Sequence, residues 1–584
     1  MTSSTATPPP VKSHQPDGDD FSTFATATEN TPLIQSDTDT LRDGSVSPAE
    51  SAGSDEDPVI GWKRAVCIIL SMWALIFLQA SNMSGMTMTQ STIAADLDSY
   101  AQAMWFTSSY LITTASMAPL VGRLAMIFSP GIMILVASFF FALGALICSL
   151  AKVFAVFITG RVISGVGGAG VLTLSMILVL QLTSKRRRGL FIGMVNAGFT
   201  IGLSCGAVVF GALLPSLGWR ALFLAQSPLS ILAGLGVYFS LPHLTVRGHD
   251  KTNTALSKLA KIDYLGAVTL TTTIVLFLYG LSSPKILILP IILSFASLAL
   301  FLATEYLYTS DPIIPISVLQ SRGVLLSCLG QLGFMAARWT VLFYAPVFVL
   351  AVRGYSPAVA GSVLIPTNAG FGLGGVIVGW LHVKRTGSFW SPSLVSLVFF
   401  IFTIFGLSFL STAAVEPWLY VTTIFLNGFA TGACLNYTLA HMLHLAAPET
   451  HFIATSLLAT FRGFAGSFGT AIGGGAFGRT LRDVLTDGFT ELDGGVLGEG
   501  RRVLITRLIG SPALVFEGGL SDAERAVAVG GYEVALKMLY RGAAAVCLLV
   551  LIVQAGTGWS APVSKEEEDE IEEEIAEHDG RMEA

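Results

Sequence analysis

The chain has 584 residues, of which 52% are hydrophobic and 12% charged, against roughly 25% charged residues in an ordinary soluble domain. Residues 1–60 and 565–584 each carry a net charge of −9, which leaves +12 for residues 61–564. So apolar a composition excludes a soluble globular protein. The sequence has no GxxxxGK[ST] phosphate loop, which disfavours an ATP-driven pump, and no nucleophile, metal or paired-carboxylate constellation that would indicate an enzyme.

The segment between residues 61 and 554 is a succession of apolar stretches of about 20 residues, the length a helix needs to cross a bilayer. We predict an all-α polytopic membrane protein with about fourteen transmembrane helices. The predicted spans are 62–84, 104–126, 131–151, 153–182, 189–214, 220–241, 264–282, 285–308, 324–350, 357–381, 390–411, 417–440, 453–478 and 535–556.

Lysine and arginine are concentrated in alternate joints, which predicts the orientation. Residues 185–188 read Lys-Arg-Arg-Arg, four basic residues fall within 247–261, and Lys-Arg stands at 384–385. These joints and both termini lie on one side of a fourteen-span topology. The positive-inside rule therefore places both tails in the cytosol. The arginine-containing segment 480–533 then faces away from the cytosol.

The predicted domains follow this topology. An acidic, disordered cytosolic N-tail (1–60) precedes a six-helix bundle (61–241), a cytosolic linker (242–263) and two additional spans (264–308). The first five spans of a second bundle (309–479), a non-cytosolic loop (480–533), a last span (534–557) and an acidic cytosolic C-tail (558–584) complete the chain.

Five local patterns resemble the major facilitator superfamily, specifically the fourteen-span drug:proton antiporter branch of fungi. The resemblance covers roughly residues 60–560 and implies two six-helix bundles plus two extra central helices. The patterns are Gly122-Arg123-Leu124 at the end of span 2, Arg161-Val-Ile-Ser-Gly165 in span 4, Gly198, Gly202, Gly206 and Gly211 in span 5 before Gly218-Trp219-Arg220, Asp263-Tyr264-Leu265-Gly266 at span 7, and Arg462-Gly463 in span 13.

The chain also departs from the family pattern. The loop after span 2 lacks the expected acid and basic residues, since it reads Ala125-Met-Ile-Phe-Ser-Pro-Gly131. Span 5 has Gly206-Ala207 where the motif has Gly-Pro, and Asn82 stands where span 1 often carries an acid. These departures weaken the proton coupling that the resemblance implies, but they leave the implied fold intact.

Three arginines lie well inside predicted spans, namely Arg161, Arg338 and Arg462. Arg338 is about 14 residues from either end of span 9, which is roughly 20 Å at 1.5 Å per residue. A cation at the bilayer centre costs about 2.5–3.5 kcal/mol on insertion scales, so it should face a cavity or a partner. Bonding to backbone carbonyls is the structural alternative.

No carboxylate lies at mid-depth in our predicted spans, and Glu305, near the end of span 8, is the nearest candidate. A cavity containing Arg161 and Arg338 without acids is expected to favour anionic or neutral solutes. Proton coupling would lack its usual titrating group, with Glu305 or Asp96 as substitutes. Other candidate lining residues are Gln79, Asn82, Gln90, Trp105, Tyr110, Gln226, Gln331, Tyr344, Asn368, Asn427 and Asn436.

Gly198, Gly202 and Gly206 recur every four residues and so share one helix face. Small residues at this spacing allow two helices to approach closely, either for static packing or for sliding. Together with Gly122, Arg123, Gly211 and Arg462, they are our predicted helix-interface or gating residues.

Glu29, Leu33 and Ile34 fit an acidic dileucine sorting signal, so the plasma and vacuolar membranes are both open as locations. The expected function is secondary active export of drugs, toxins or secondary metabolites by alternating access, linked to protons. A vacuolar amino-acid transporter and a non-transporting nutrient sensor are the alternatives. The expected partners are a small-molecule substrate, the lipid bilayer and sorting adaptors at the N-tail. We expect a monomer that binds no nucleic acid, cofactor or metal.

Overall fold

The computed structural model describes residues 62–182, 185–241, 263–283, 285–307, 321–379, 388–446 and 450–559. The two acidic tails (to residue 61 and from residue 560), almost all of the predicted linker 242–263, and the sorting residues Glu29, Leu33 and Ile34 lie outside these ranges. Within them the chain is mostly helical and contains no strand, which confirms the all-α prediction there.

The first group of helices comprises α1 (Trp62–Asp96), α2 (Trp105–Ile127), α3 (Pro130–Leu150), α4 (Phe154–Leu182) and α5 (Lys185–Ser240). A separate pair follows, α6 (Tyr264–Ser282) and α7 (Ile288–Leu307). The last group comprises α8 (Arg322–Ala351), α9 (Pro357–Ser362), α10 (Leu364–Ile377), α11 (Trp390–Leu410), α12 (Pro417–Leu445), α13 (His451–Leu492), α14 (Glu499–Gly510), α15 (Leu514–Glu517) and α16 (Asp522–Ala555).

Eleven helical stretches within the described residues are long and apolar enough to cross a membrane. One of them, Gly193–Ser240, contains two of our predicted spans, because α5 changes direction at Gly218. Gly218 has φ +72° and ψ 160°, a backbone conformation that glycine adopts without steric penalty. The predicted spans at 104–126 and 453–478 correspond to α2 and α13, which are not among the eleven. The chain is a multi-pass membrane protein, and the figure of fourteen remains a prediction.

The helices form two bundles. Helices α1–α5 pack mainly on one another, as do α8 and α10–α13 together with α16. The pair α6–α7 packs against α2 and α13, one helix from each bundle. Large apolar side chains of α7, such as Ile288 and Phe295, are more than half exposed, as expected for a surface that faces lipid.

We call the side on which α1 ends the Asp96 face and the opposite side the Trp62 face. A continuous apolar core joins both bundles toward the Asp96 face, where Phe210 and Phe223 of α5 belong to the same cluster as Phe348 of α8. Toward the Trp62 face a second cluster draws its buried residues only from α1–α5, including Met72 and Leu178. A third cluster joins the bundles through the added pair, with Ala115 of α2, Leu270 of α6 and Leu457 of α13 among its buried residues.

The last membrane helix is longer than the predicted span, beginning at Asp522 instead of residue 535. Ser521 and Glu524 form a capping box, in which the Ser521 hydroxyl accepts from the Glu524 N–H and the Glu524 carboxylate accepts from the Ser521 N–H. Likewise α13 continues to Leu492, beyond the predicted end at 478. Much of the predicted loop 480–533 is thus helical, because these helices extend past the apolar stretch that defined the span.

Candidate transport site between two bundles

Arg161 is fully buried in α4, inside the first bundle. Its Nε donates to the carbonyl oxygen of Phe106 at 2.7 Å, its Nη1 donates to Asn82 Oδ1, and its guanidinium lies 4.5 Å from the centre of the Tyr110 ring. Within the described part of the chain, no carboxylate contacts this guanidinium. Neutral oxygens and an aromatic face solvate the cation instead.

The Arg161 cluster, which already includes residues of α1, α2 and α4, extends to a fourth helix, α5, through Asn82. The Asn82 Nδ2 donates to Gln226 Oε1 at 2.8 Å, and the Gln226 Nε2 donates to the carbonyl oxygen of Leu222. Gln79, also fully buried, lies one turn from Asn82 beside Tyr110. The structure thus brings together four predicted cavity residues, Arg161, Asn82, Gln79 and Gln226, in the interior of α1, α4 and α5.

Arg338 forms a second, similar cluster in the other bundle. It is 2% exposed, and its guanidinium donates to the Thr367 hydroxyl, to the Thr367 carbonyl oxygen at 3.1 Å and to Asn368 Oδ1 at 3.1 Å. A longer contact of 3.5 Å reaches Asn427 Oδ1, whose amide group donates to Thr403. Here too, no described carboxylate contacts the guanidinium.

The two clusters use the same residue types with exchanged positions. In the first bundle the arginine lies on the fourth helix, α4, and the asparagine on the first, α1. In the second bundle the arginine lies on α8, which opens the bundle, and Asn427 lies on α12. Each guanidinium is bound within its own bundle. Backbone and amide oxygens of that bundle accept its hydrogen bonds in place of water.

One hydrogen bond connects the Arg338 cluster to the first bundle. Asn368 Nδ2 donates to the Ser204 hydroxyl of α5 at 2.8 Å, while Asn368 Oδ1 accepts from Arg338. The Ser204 hydroxyl also lies 3.3 Å from the carbonyl oxygen of Leu364. The relative position of α5 and α10 is therefore coupled to the asparagine that solvates Arg338.

A small central cavity of ≈ 20 Å³ lies between the bundles, about the space of one water molecule. Helices α1, α2 and α5 contribute one side of the lining: Met83, Ser84, Thr87, Thr107, Leu111 and Leu203. Helices α8, α10 and α13 contribute the other side: Trp339, Leu342, Phe343, Leu364 and Thr470. Neither Arg161 nor Arg338 is among the lining residues, since each points into its own bundle.

The remaining predicted cavity residues lie on α8 at different depths. Gln331 is 2% exposed and lies two turns from Arg338 toward the Trp62 face. Tyr344 is 4% exposed and packs its ring 4.6 Å from that of Phe477 on α13. Neither contributes to the lining of the central cavity in this conformation, and both are buried by neighbouring helices.

A larger pocket of ≈ 120 Å³ lies toward the Trp62 face, between α1, α4 and α5. Its wall is almost entirely apolar, with Met72, Trp73, Leu178 and Met194 among the lining residues. The Trp73 indole donates to the carbonyl oxygen of Met194 at 3.0 Å, which ties α1 to α5 beside the pocket.

The glycines of α5 face α1 and α9 at van der Waals distance. A Cβ atom added to Gly198 would lie 2.9 Å from the Trp73 indole, and one added to Gly202 would lie 2.7 Å from the Cβ of Ala80. One added to Gly206 would overlap the backbone of Ser81. The three glycines thus form an interface with α1, inside the first bundle.

Gly211 belongs to a different interface, because a Cβ atom added there would overlap the backbone of Pro357 at the start of α9, in the second bundle. Gly122 has more room, with Thr173 as its nearest neighbour at 3.8 Å from an added Cβ atom. Arg123 and Arg462 are half-buried, on α2 and α13 respectively, and neither contributes to the two arginine clusters.

Helices α14 and α15, which we call the cap, cover the Asp96 face. The cap contacts the first bundle where the Gly510 backbone packs against Tyr100 and the Gln90 amide donates to the Gly510 carbonyl oxygen at 3.4 Å. It contacts the second bundle where the Tyr532 hydroxyl of α16 donates to the carbonyl oxygen of Leu508 at 2.5 Å. The cap therefore bridges the bundles.

Ion pairs reinforce the attachment of the cap to the second bundle. Arg501 of α14 pairs with Asp493, at the end of α13, at 2.9 Å and with Glu524 of α16. These hydrogen bonds to two carboxylates raise the pKa of the Arg501 guanidinium above its usual range. On the same face, Arg220 pairs with Asp96 and donates to the carbonyl oxygen of Ala151, which links three joints of the first bundle.

Sequence reasoning missed Thr367 and Ser204 of the Arg338 network and Trp339, Thr87 and Thr107 of the central cavity. The sequence did contain a signal for Thr367, because Thr367 and Asn368 are an adjacent polar pair inside an apolar stretch. For the cavity residues the sequence gives no such signal. Threonines are common on membrane helices, and which of them face the centre depends on the rotation of each helix in its bundle.

Comparison with known proteins agrees with this architecture. The chain is 30% identical over 353 residues to the efflux pump dotC of Dothistroma septosporum, with 58% of this chain and 59% of that protein covered. It is 27% identical to the MFS-type transporter ppz2 of Metarhizium majus, with 74% and 75% covered. It is 24% identical to the efflux pump FUS6 of Gibberella fujikuroi, with 88% and 92% covered.

A bacterial homolog of the human lysosomal transporter Spinster, solved in an inward-facing and occupied conformation, has the same fold. It superposes with a TM-score of 0.59 at 14% identity, covering 85% of this chain and 97% of that protein. The model of the Major Facilitator Superfamily matches residues 70–470, well over half of the chain. The chain therefore belongs to the Major Facilitator Superfamily.

Proposed function

We propose that the protein is a secondary active transporter that exports small organic molecules by alternating access. The observation that carries this proposal is a small cavity lined by both bundles, beneath a continuous apolar core that closes the Asp96 side. Rocking of one bundle against the other would expose such a cavity to each side in turn. Two of the relatives, dotC and FUS6, are named efflux pumps, which supports the direction of export.

The proposed substrates are drugs, toxins or secondary metabolites. A vacuolar importer of basic amino acids is disfavoured, because none of the described residues that line the central cavity is a carboxylate that could pair with a cationic side chain. For the topology we propose the fourteen-span drug:proton antiporter arrangement, with α5 crossing twice around Gly218. The Trp62 face and both tails would be cytosolic, as the basic joints predict.

Proton linkage is part of the proposal, and Glu305 is its candidate titrating group. Glu305 is 4% exposed and is the one buried carboxylate among the residues that the structure describes. Ionisable residues inside membrane helices are functional candidates by default, because burying them is costly. Asp96 is a weaker candidate, because its side chain is 41% exposed and paired with Arg220.

Flux of a panel of fluorescent and radiolabelled compounds into inverted membrane vesicles tests the proposal. We expect uptake that exceeds that of vesicles without the protein and that rises when a pH gradient is imposed. Glu305→Gln should abolish the response to the gradient, with Glu416→Gln, at the exposed start of α12, as the matched control. Uptake equal to that of empty vesicles for every compound contradicts transport, and equal rates with and without the gradient contradict proton linkage.

The location rests on the sorting motif and is tested separately. Replacing Leu33 and Ile34 by alanine in a fluorescent fusion should move the protein from the vacuolar to the plasma membrane. An unchanged distribution would dismiss the motif.

A further inference from the structure

No charged side chain is among the described residues that line the central cavity, although each bundle contains a buried arginine. Arg338 is the neighbour of Trp339, yet its guanidinium is directed to Thr367, Asn368 and Asn427 inside the second bundle. Arg161 is likewise bound by neutral oxygens within the first bundle. A charged solute in this cavity would lose its hydration without gaining an opposite charge, which is strongly unfavourable.

Three of the four hydroxyl groups that line the cavity, those of Ser84, Thr107 and Thr470, differ in whether their own helix satisfies them. Ser84 donates to the carbonyl oxygen of Ala80 at 3.3 Å, and Thr470 donates to that of Gly466 at 2.9 Å, so both are satisfied by their own helices. Thr107 is only 4% exposed, and its hydroxyl has no hydrogen-bond partner among the described residues. Several other buried hydroxyls of the described residues also lack a partner, but Thr107 is the one of them that lines the central cavity, where a solute or water can supply the bond.

Trp339 supplies a donor and a flat apolar surface from the opposite bundle. Its ring packs against an apolar cluster of the first bundle that includes Met83, Leu111 and Leu203. Within the described part of the chain its indole N–H has no hydrogen-bond acceptor, whereas the Trp73 indole donates to Met194. Tryptophan in such a position binds aromatic solutes through its face and a carbonyl or ether oxygen through its N–H.

Resting on the transport function proposed above, we propose that Thr107 and Trp339 select uncharged aromatic solutes that carry carbonyl, ether or hydroxyl oxygens. Thr107 would bond one oxygen from the first bundle, Trp339 would bond another from the second, and Met83 and Phe343 would contact the ring system. A solute held in this way touches both bundles. The cavity in this conformation has about the space of one water molecule, so the solute is bound in a conformation in which the bundles are further apart.

The test is equilibrium binding of three fluorescent probes to the full-length protein in lipid nanodiscs. The probes are the uncharged 7-diethylamino-4-methylcoumarin, the cationic rhodamine 123 and the anionic fluorescein. We expect the coumarin to bind at least tenfold more tightly than either charged dye. Thr107→Val, which keeps the shape but removes the hydroxyl, and Trp339→Phe, which keeps an aromatic ring but removes the indole N–H, should each weaken coumarin binding about tenfold.

Thr470→Val is the matched control, because it removes a cavity hydroxyl that is already bonded to its own helix. It should change coumarin affinity less than twofold. Tighter binding of either charged dye, or equal effects of Thr107→Val and Thr470→Val, would overturn the inference while leaving transport intact. If the vesicle experiment shows no flux of any compound, the proposed function fails and this inference fails with it.

Discussion

The cap offers a direct test of alternating access, because one glycine separates it from the first bundle. A Cβ atom at Gly510 would meet the backbone of Tyr100, which cannot move aside as a flexible side chain would. The added side chain of Gly510→Val therefore clashes with the first bundle only in the conformation in which the Asp96 face is closed. Gly500, on the same helix, has no heavy atom within 4 Å of an added Cβ, so Gly500→Val is the matched control.

The size of the effect follows from the cost of overpacking, about 1–3 kcal/mol for a side chain forced into a filled space. This cost applies to the closed state and is relieved when the cap moves away with the second bundle, to which Tyr532 and Arg501 attach it. A differential of this size shifts a two-state equilibrium by roughly 5- to 150-fold. The Asp96-open state should be enriched by that factor.

The assay is thiol labelling of Leu342→Cys, a cavity position, in a variant whose six native cysteines are replaced by serine. A membrane-impermeant maleimide is added from the Asp96 face of oriented proteoliposomes. We expect Gly510→Val to label at least fivefold faster than the parent and Gly500→Val to label at the parent rate. Equal rates for the two valine variants would refute the role of the cap as a contact of the closed state.

Three further outcomes follow from the contacts of the bundles. Gly206→Val should lower the melting temperature of the purified protein by several degrees relative to Gly193→Val, because an added Cβ atom contacts backbone only at Gly206. Equal melting temperatures of the two variants would contradict this interface. Arg161→Lys should reduce both melting temperature and flux, since a lysine cannot make the two fixed contacts of the guanidinium; unchanged values would show that position to be dispensable. Arg501→Gln should accelerate labelling from the Asp96 face by less than tenfold, and 1 M salt should reproduce that acceleration in the parent, as expected for partly exposed ion pairs.

The sequence was sufficient to predict the helices, because each predicted span is a long apolar stretch and hydropathy depends on local composition alone. The ends of α13 and α16 were wrong by more than ten residues, since these helices continue beyond the apolar stretch. Arg161 and Arg338, which we predicted to lie well inside spans, are both buried in the protein interior.

The direction of each arginine side chain was not readable from the sequence. A residue one position along a helix points about 100° away, so Arg338 and Trp339 face different surroundings although they are neighbours in the chain. Which of them reaches the centre depends on how α8 is rotated against α10 and α13. That rotation is decided by contacts between distant residues, such as Gly469 of α13 against the backbone of Ala336.

The way in which Asn368 is shared has a consequence for the rate of the transport cycle. Its oxygen stays with Arg338 while its amide group reaches Ser204, so separating α5 from α10 breaks a bond between uncharged partners and leaves the cation solvated. Such a bond contributes only about 0.5–1.5 kcal/mol, close to thermal energy. If the two bundles were linked by an ion pair within the membrane, each transport cycle would have to separate two opposite charges without water to solvate them. The neutral amide keeps that barrier low.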